Sequence, residues 1–309
     1  MSSDGVTPQV TTTPAAAARP YGEVFDRGYR HYDGPRKGRG QAVRSLIIYS
    51  MKRAMGIRKS WTAKVLPILL YVSVIIPLIA MIAISAIVPE FTFASYSGYL
   101  SAIFLTVGIF VATTAPEMIC VDRHERTLPL YFSRAIARFD YVIAKVVAMT
   151  LLTMTMSVVP AVLLWLGRQL TAEHVGRAMR DNIGDLWRVI FVGVMIALVL
   201  STTALAVSSL TNRKGVAITI IVIGFIVLTA VAQTAMSLLL DEYDWAKYFL
   251  AIDFSTLFAG LSDHMFHDVD DWIINRHDFS LGQYLAYMFG LIVVSILFLR
   301  WRYAPRDDG

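Results

Sequence analysis

Two stretches of this chain hold residues whose types and spacing could do chemistry. The first runs from Ser262 to Trp272 and reads Ser-Asp-His-Met-Phe-His-Asp-Val-Asp-Asp-Trp. His264 and His267 are three apart, so they share one face of a helix. With Asp263, Asp268 and His277 they offer the nitrogen and oxygen donors that a divalent metal takes, the chemistry of a membrane-embedded metal-dependent enzyme. A solvated acidic loop explains the same residues without a metal. The surrounding Asp241–Ser280 holds nine acids against two bases, and the reading adopted is that no metal binds. The second stretch, Glu117–Lys145, reads EMICVDRHERTLPLYFSRAIARFDYVIAK. Four arginines, Arg123, Arg126, Arg134 and Arg138, alternate there with Asp122, Glu125 and Asp140. Thr127 can cap a helix whose first turn contains Pro129, where a missing N–H costs nothing. Leu128, Tyr131 and Phe132 supply apolar anchors and the arginines supply a rim, which is the make-up of a docking surface. That chemistry is recognition, with no bond made or broken. No G-x-x-x-x-G-K-[ST] pattern occurs, so ATP is not expected on this chain. The single cysteine, Cys120, excludes an internal disulfide and a cysteine-based zinc site.

The elements that must position these stretches are membrane spans. Of 309 residues, 56% are hydrophobic and only 17% charged, too little charge for a soluble domain of this size. Runs of about 20 apolar residues, enough to cross roughly 30 Å of hydrocarbon, occur near 65–88, 99–116, 142–166, 189–210, 216–240 and 281–299. None carries a charged residue in its interior, Lys145 standing at the opening of the third. Intramembrane ion pairs of the kind secondary carriers use are therefore not expected, which leaves a secondary carrier as an alternative without its usual signature. With the N-terminus inside, 22 lysines and arginines fall on the inner segments and 6 on the outer ones. That asymmetry predicts a multi-pass protein of the plasma (inner) membrane with both termini cytoplasmic. It also accounts for the net charge of +5 through topology and anionic lipid, so no nucleic-acid partner is expected. Residues 1–40 read as a disordered basic tail, 41–64 as an amphipathic interfacial helix, and 65–303 as a six-helix transmembrane domain. In the interfacial helix Val43, Ile47, Met51, Ala54 and Met55 recur at helical spacing, with Arg44, Lys52, Arg53 and Lys59 largely off that stripe. The transmembrane domain includes an inner loop 117–141 and an outer segment 241–280.

The inner loop resembles that of the permease subunits of ABC-2 type transporters. In that family the loop reads approximately E-R-x-x-G-T-L-E-x-L-L-x-x-P-x-S-R, with a lysine seven residues after the arginine. Asp122-Arg123 stands for the acid–arginine pair and Thr127-Leu128 for the threonine–leucine. Leu130-Tyr131 stands for the apolar pair, Arg138 for the arginine and Lys145 for the lysine. Arg126 stands where the family has glycine, Pro129 where it has an acid, and Ala135 where it has proline. The resemblance covers roughly residues 41–300. It implies an all-α membrane protein with six transmembrane helices, an N-terminal amphipathic interfacial helix and a cytoplasmic coupling helix between spans 2 and 3. It further implies docking of that helix, through Asp122, Arg123, Glu125, Arg126, Thr127, Leu128, Leu130, Tyr131, Phe132, Arg134, Arg138 and Lys145, on a separate ATP-binding subunit that carries ATP and Mg. A second permease subunit and export of an amphipathic or hydrophobic cargo (drug, lipid or peptide) are implied as well. Tyr248–Phe258 resembles the short outer helices that these permeases fold back into the membrane.

Overall fold

The computed structural model describes residues 38–57, 60–87, 95–132, 136–172, 174–239, 243, 245, 248–249, 252–266 and 279–304. Among these residues the regular structure is helical and no strand occurs. They all belong to one compact unit, Lys37–Gly309. Its α-helices are α1 (Arg39–Ala54), α2 (Thr62–Ile87), α3 (Tyr96–His124), α4 (Leu128–Phe132), α5 (Arg138–Leu170), α6 (Val175–Asp181), α7 (Ile183–Ser208), α8 (Lys214–Leu239), α9 (Phe254–Phe266) and α10 (Leu281–Arg302). Six of them, α2, α3, α5, α7, α8 and α10, are long and apolar enough to cross a membrane. Pro67, Pro77, Pro116 and Pro160 lie inside spans, where neighbouring helices compensate for the missing backbone bond.

Helices α3, α5 and α7 form the centre, and α2, α8 and α10 present most of their surface outward. Lipid is as apolar as leucine, so association rests on close packing and hydrogen bonds. Gly193 of α7 shows the first. A Cβ there would stand 2.9 Å from the Val158 side chain of α5, so only glycine admits the approach. The second is supplied by Ser157 Oγ donating to Gly193 O at 2.9 Å and by the Thr153–Ser201 hydroxyl pair at 3.0 Å. Thr113, Thr114, Thr202 and Thr203 donate to carbonyls one turn back in their own helices. These hydroxyls therefore serve the helices that carry them.

α1 lies against α3 and α5. Its stripe, including Val43, Ile47, Met51 and Ala54, packs on the core, while Arg44 and Lys52 stay exposed. α9 runs beside the first half of α3: Phe266 stacks on Tyr96 and Phe258 on Phe104, while Phe254 meets Phe225 of α8. Its N-cap residue Asp253 is fully buried and accepts from Thr229 at 2.7 Å, Gln233 at 3.3 Å and Thr256 at 2.5 Å.

Candidate functional site

The apolar run that sequence ends at Pro116 does not end the helix. α3 continues for two more turns to His124 and carries Glu117, Asp122 and Arg123 with it. Likewise α5 begins at Arg138, before its apolar run, and takes Asp140 and Lys145 onto the helix. The chain reverses between them at Arg126, which holds a positive φ of 53°. Arg126 N–H donates to Arg123 O and Thr127 N–H to Asp122 O, the paired bonds of a Schellman stop, in which the left-handed position is normally glycine. α1 closes the same way with Gly56 at φ 67°, where Gly56 donates to Arg53 O and Ile57 to Lys52 O. The departure of Arg126 from the glycine pattern thus falls at a left-handed position, where glycine is the residue without strain.

α4 follows at once. The Thr127 carbonyl takes the first bonds of the helix, from Leu130 and Tyr131, while its hydroxyl donates back to Asp122 O at 3.2 Å. Tyr131 and Phe132 turn toward the bundle, with ring centroids 5.9 and 6.1 Å from Tyr141. Arg138 stacks over Phe132 at 5.5 Å. Burial pushes the Tyr131 phenol up to about 12, so it stays protonated. Leu128 is half-buried against the core. Leu130 points outward at 67% exposure. The aromatic anchors expected to meet a partner therefore bolt α4 to α5, and the outward apolar contact is Leu130. Arg134 lies outside the described residues.

Beneath α4 sits a buried ionic cluster. Asp122 is fully enclosed; one carboxylate oxygen accepts from Arg53 at 2.8 Å, the other from Lys145 at 2.7 Å and the Tyr141 hydroxyl at 3.0 Å. Lys145, 1% exposed, also donates to Ser50 Oγ at 3.0 Å. Arg53 reaches Glu125 as well, at 2.8 Å. Burial works against the Arg53 charge, but Glu125 and Asp122 outweigh it and hold its pKa above the ordinary value. α1, α3 and α5 are thus joined by charge at one point. Glu117 of α3 pairs with Lys214 of α8 at 2.5 Å, and Arg39 of α1 with Asp140 of α5 at 2.6 Å. Glu117, Asp122 and Asp140 stand on the helix extensions beyond the apolar runs, and Lys145 at the opening of the third. Charges enter the helices because each meets a partner, without which burial would cost several kcal/mol, on the order of a lost ion pair.

Sequence reasoning missed Ser50, Arg53, Tyr141 and Lys214 as members of this site. Their partners lie 69 to 97 residues away, apart from Tyr141 and Asp122, so no local spacing signals them. Asp253 carried a signal, an acid directly ahead of an apolar helical run, the mark of an N-cap. In the outer segment, His264 Nδ1 pairs with Gly260 O at 3.0 Å and its ring packs on Tyr284. Among the described residues no group of three or more potential ligands converges. His267, Asp268 and His277 lie outside them, and Asp263 is described.

A family model described as ABC-2 family transporter protein matches residues 89–301, more than half of the chain. The chain belongs to the ABC-2 family of transporter proteins. No curated protein matches it. As an ABC-2 type permease it is a multi-pass membrane protein, and the matched range takes in α3 to α9 and α10 as far as Trp301, with the whole Asp122–Lys145 turn. Helix α1, which supplies Arg53 to the permease's buried cluster, precedes that range.

Proposed function

We propose that this permease is the transmembrane subunit of an ATP-driven exporter whose ATP and Mg are held by a separate ATP-binding subunit, and that α4 is its coupling helix. The observation that carries this reading is the two-faced build of α4: Leu130 projects outward while Tyr131 and Phe132 grip Tyr141. A push on α4 is delivered to α5 through those rings and to α3 and α1 through Asp122. Glu125 and Arg126 are exposed beside it and form the rim. The end of the bundle bearing α4 faces the cytoplasm, supported by the lysine and arginine asymmetry. Two permease copies, or this one and a related permease, pair in the assembly. Cargo is amphipathic or hydrophobic, in keeping with Thr113, Thr114, Thr202 and Thr203 of the central spans being turned to their own backbones. The test is co-purification with an ATP-binding subunit. Leu130→Asp is expected to weaken that association and abolish ATP-dependent transport while leaving the permease folded. Unchanged association and transport would sink the assignment of α4.

A further inference from the structure

At the same end of the bundle the charges do not all balance. Asp122 and Glu125 are matched by Arg53 and Lys145, and Glu117 by Lys214. Arg123 and Arg302 are left over; among the described residues neither has a carboxylate partner. Both are half-buried, and both guanidiniums turn to a single acceptor, the Ser209 carbonyl, Arg123 through a short bond and Arg302 at 3.5 Å. Capping the C-terminus of α7 accounts for one of them. One carbonyl dipole does not neutralise two guanidiniums that it draws together.

Tyr303 adjoins the pair. It is only 9% exposed, and its hydroxyl has no hydrogen-bond partner. Arg123, Asp122, Cys120, Arg302 and Tyr141, whose ring lies 5.5 Å away, are the charged or ionisable groups around it. The oxygens of Asp122 are taken by Arg53, Lys145 and Tyr141, and the Cys120 thiol donates to Ser208 O. Burial raises the phenol above its ordinary range, so it remains an O–H donor. Buried polar groups without partners are rare and call for an occupant. The unpartnered phenol can donate, and the two guanidiniums that share one carbonyl are cationic forks suited to phosphate.

From this convergence we infer that Arg123, Arg302 and Tyr303 form a binding site for a phosphate group, that of an anionic phospholipid headgroup. The site lies where α3, α7 and α10 end together, at the level where a span leaves hydrocarbon. Its assignment to the inner leaflet rests on the orientation given under Proposed function; the site itself does not.

The test uses the full-length chain in detergent, without any ATPase, so its failure is distinct from failure of the coupling reading. Retention of short-chain phosphatidylglycerol is measured by native mass spectrometry, with phosphatidylcholine and inorganic phosphate as competitors. Wild type is expected to retain phosphatidylglycerol over phosphatidylcholine. Arg302→Gln is expected to weaken retention about tenfold, the scale of one charge-assisted contact. Tyr303→Phe, which keeps the ring packing, is expected to weaken it by a smaller factor. Arg213→Gln removes the same charge from an exposed position and is expected to change nothing. Arg-dependent displacement by inorganic phosphate at equal concentration would keep the site but assign it to a soluble phosphate. Equal retention by wild type, Arg302→Gln and Tyr303→Phe would overturn the proposal.

Discussion

Arg126 holds a left-handed backbone where the resembled pattern has glycine. A side chain at a left-handed position costs roughly 1–2 kcal/mol, and Arg126 bears it at φ 53°. Arg126→Gly relieves that strain, offset in part by the greater freedom of glycine in the unfolded chain. A small net rise in thermal midpoint is expected by scanning fluorimetry in detergent. Arg126→Val, branched at Cβ, is expected to lower it. Equal midpoints for the two would show that the turn does not hold its left-handed backbone. Asp122 is the other decisive residue. Asp122→Asn leaves Lys145 and Arg53 buried with only Glu125 between them, at a cost of about 3–5 kcal/mol. Adding Lys145→Met removes one of the orphaned charges and is expected to recover part of that loss, a coupling that a double-mutant cycle reads directly.

At the scale of elements, α9 depends on its cap. Asp253 gathers Thr229 and Gln233 from α8 and Ser255 and Thr256 from its own first turn. Asp253→Ala takes the acceptor from the buried Thr256 hydroxyl and from the half-buried Thr229 and Ser255, and is expected to cost about 1–3 kcal/mol, read as faster amide exchange in α9 than in α3. Uniform exchange in both helices would show that α9 is held by its aromatic contacts alone. The spans themselves were legible in the sequence, because a run of about 20 apolar residues has few other uses. Their ends were not. Hydropathy falls at Pro116, yet α3 continues because Asp122 and Glu117 find cations on other helices. The place of α4 was legible from Thr127 and Pro129, whereas its inward face was not. Five residues make little more than one turn, too short for periodicity to tell which side meets Tyr141. The stripe of α1 was legible, but the surface it packs on is decided by Arg53 reaching Asp122 across 69 positions.

For the whole molecule, the issue is whether docking and transmission can be separated. Leu130 stands on the outer face of α4 and Lys145 lies buried behind it, so the two belong to different steps of one path. α1, α3 and α5 converge on Asp122, and α8 is tied to α3 through Glu117 and Lys214. A displacement of α4 then carries α3 and α5 together only while that junction is intact. Lys145→Met keeps Asp122 paired with Arg53 and bonded to Tyr141, so the bundle is expected to fold and to keep its ATP-binding partner. What it removes is the ionic half of the tie from α3 to the start of α5, leaving the Tyr141 hydrogen bond alone. The expected result is a complex that assembles and hydrolyses ATP but transports little, whereas Leu130→Asp loses assembly itself. Measuring partner retention, ATPase rate and transport on both variants separates the two roles. Loss of the partner in Lys145→Met would place that lysine in the support of the docking surface and remove it from the transmission path.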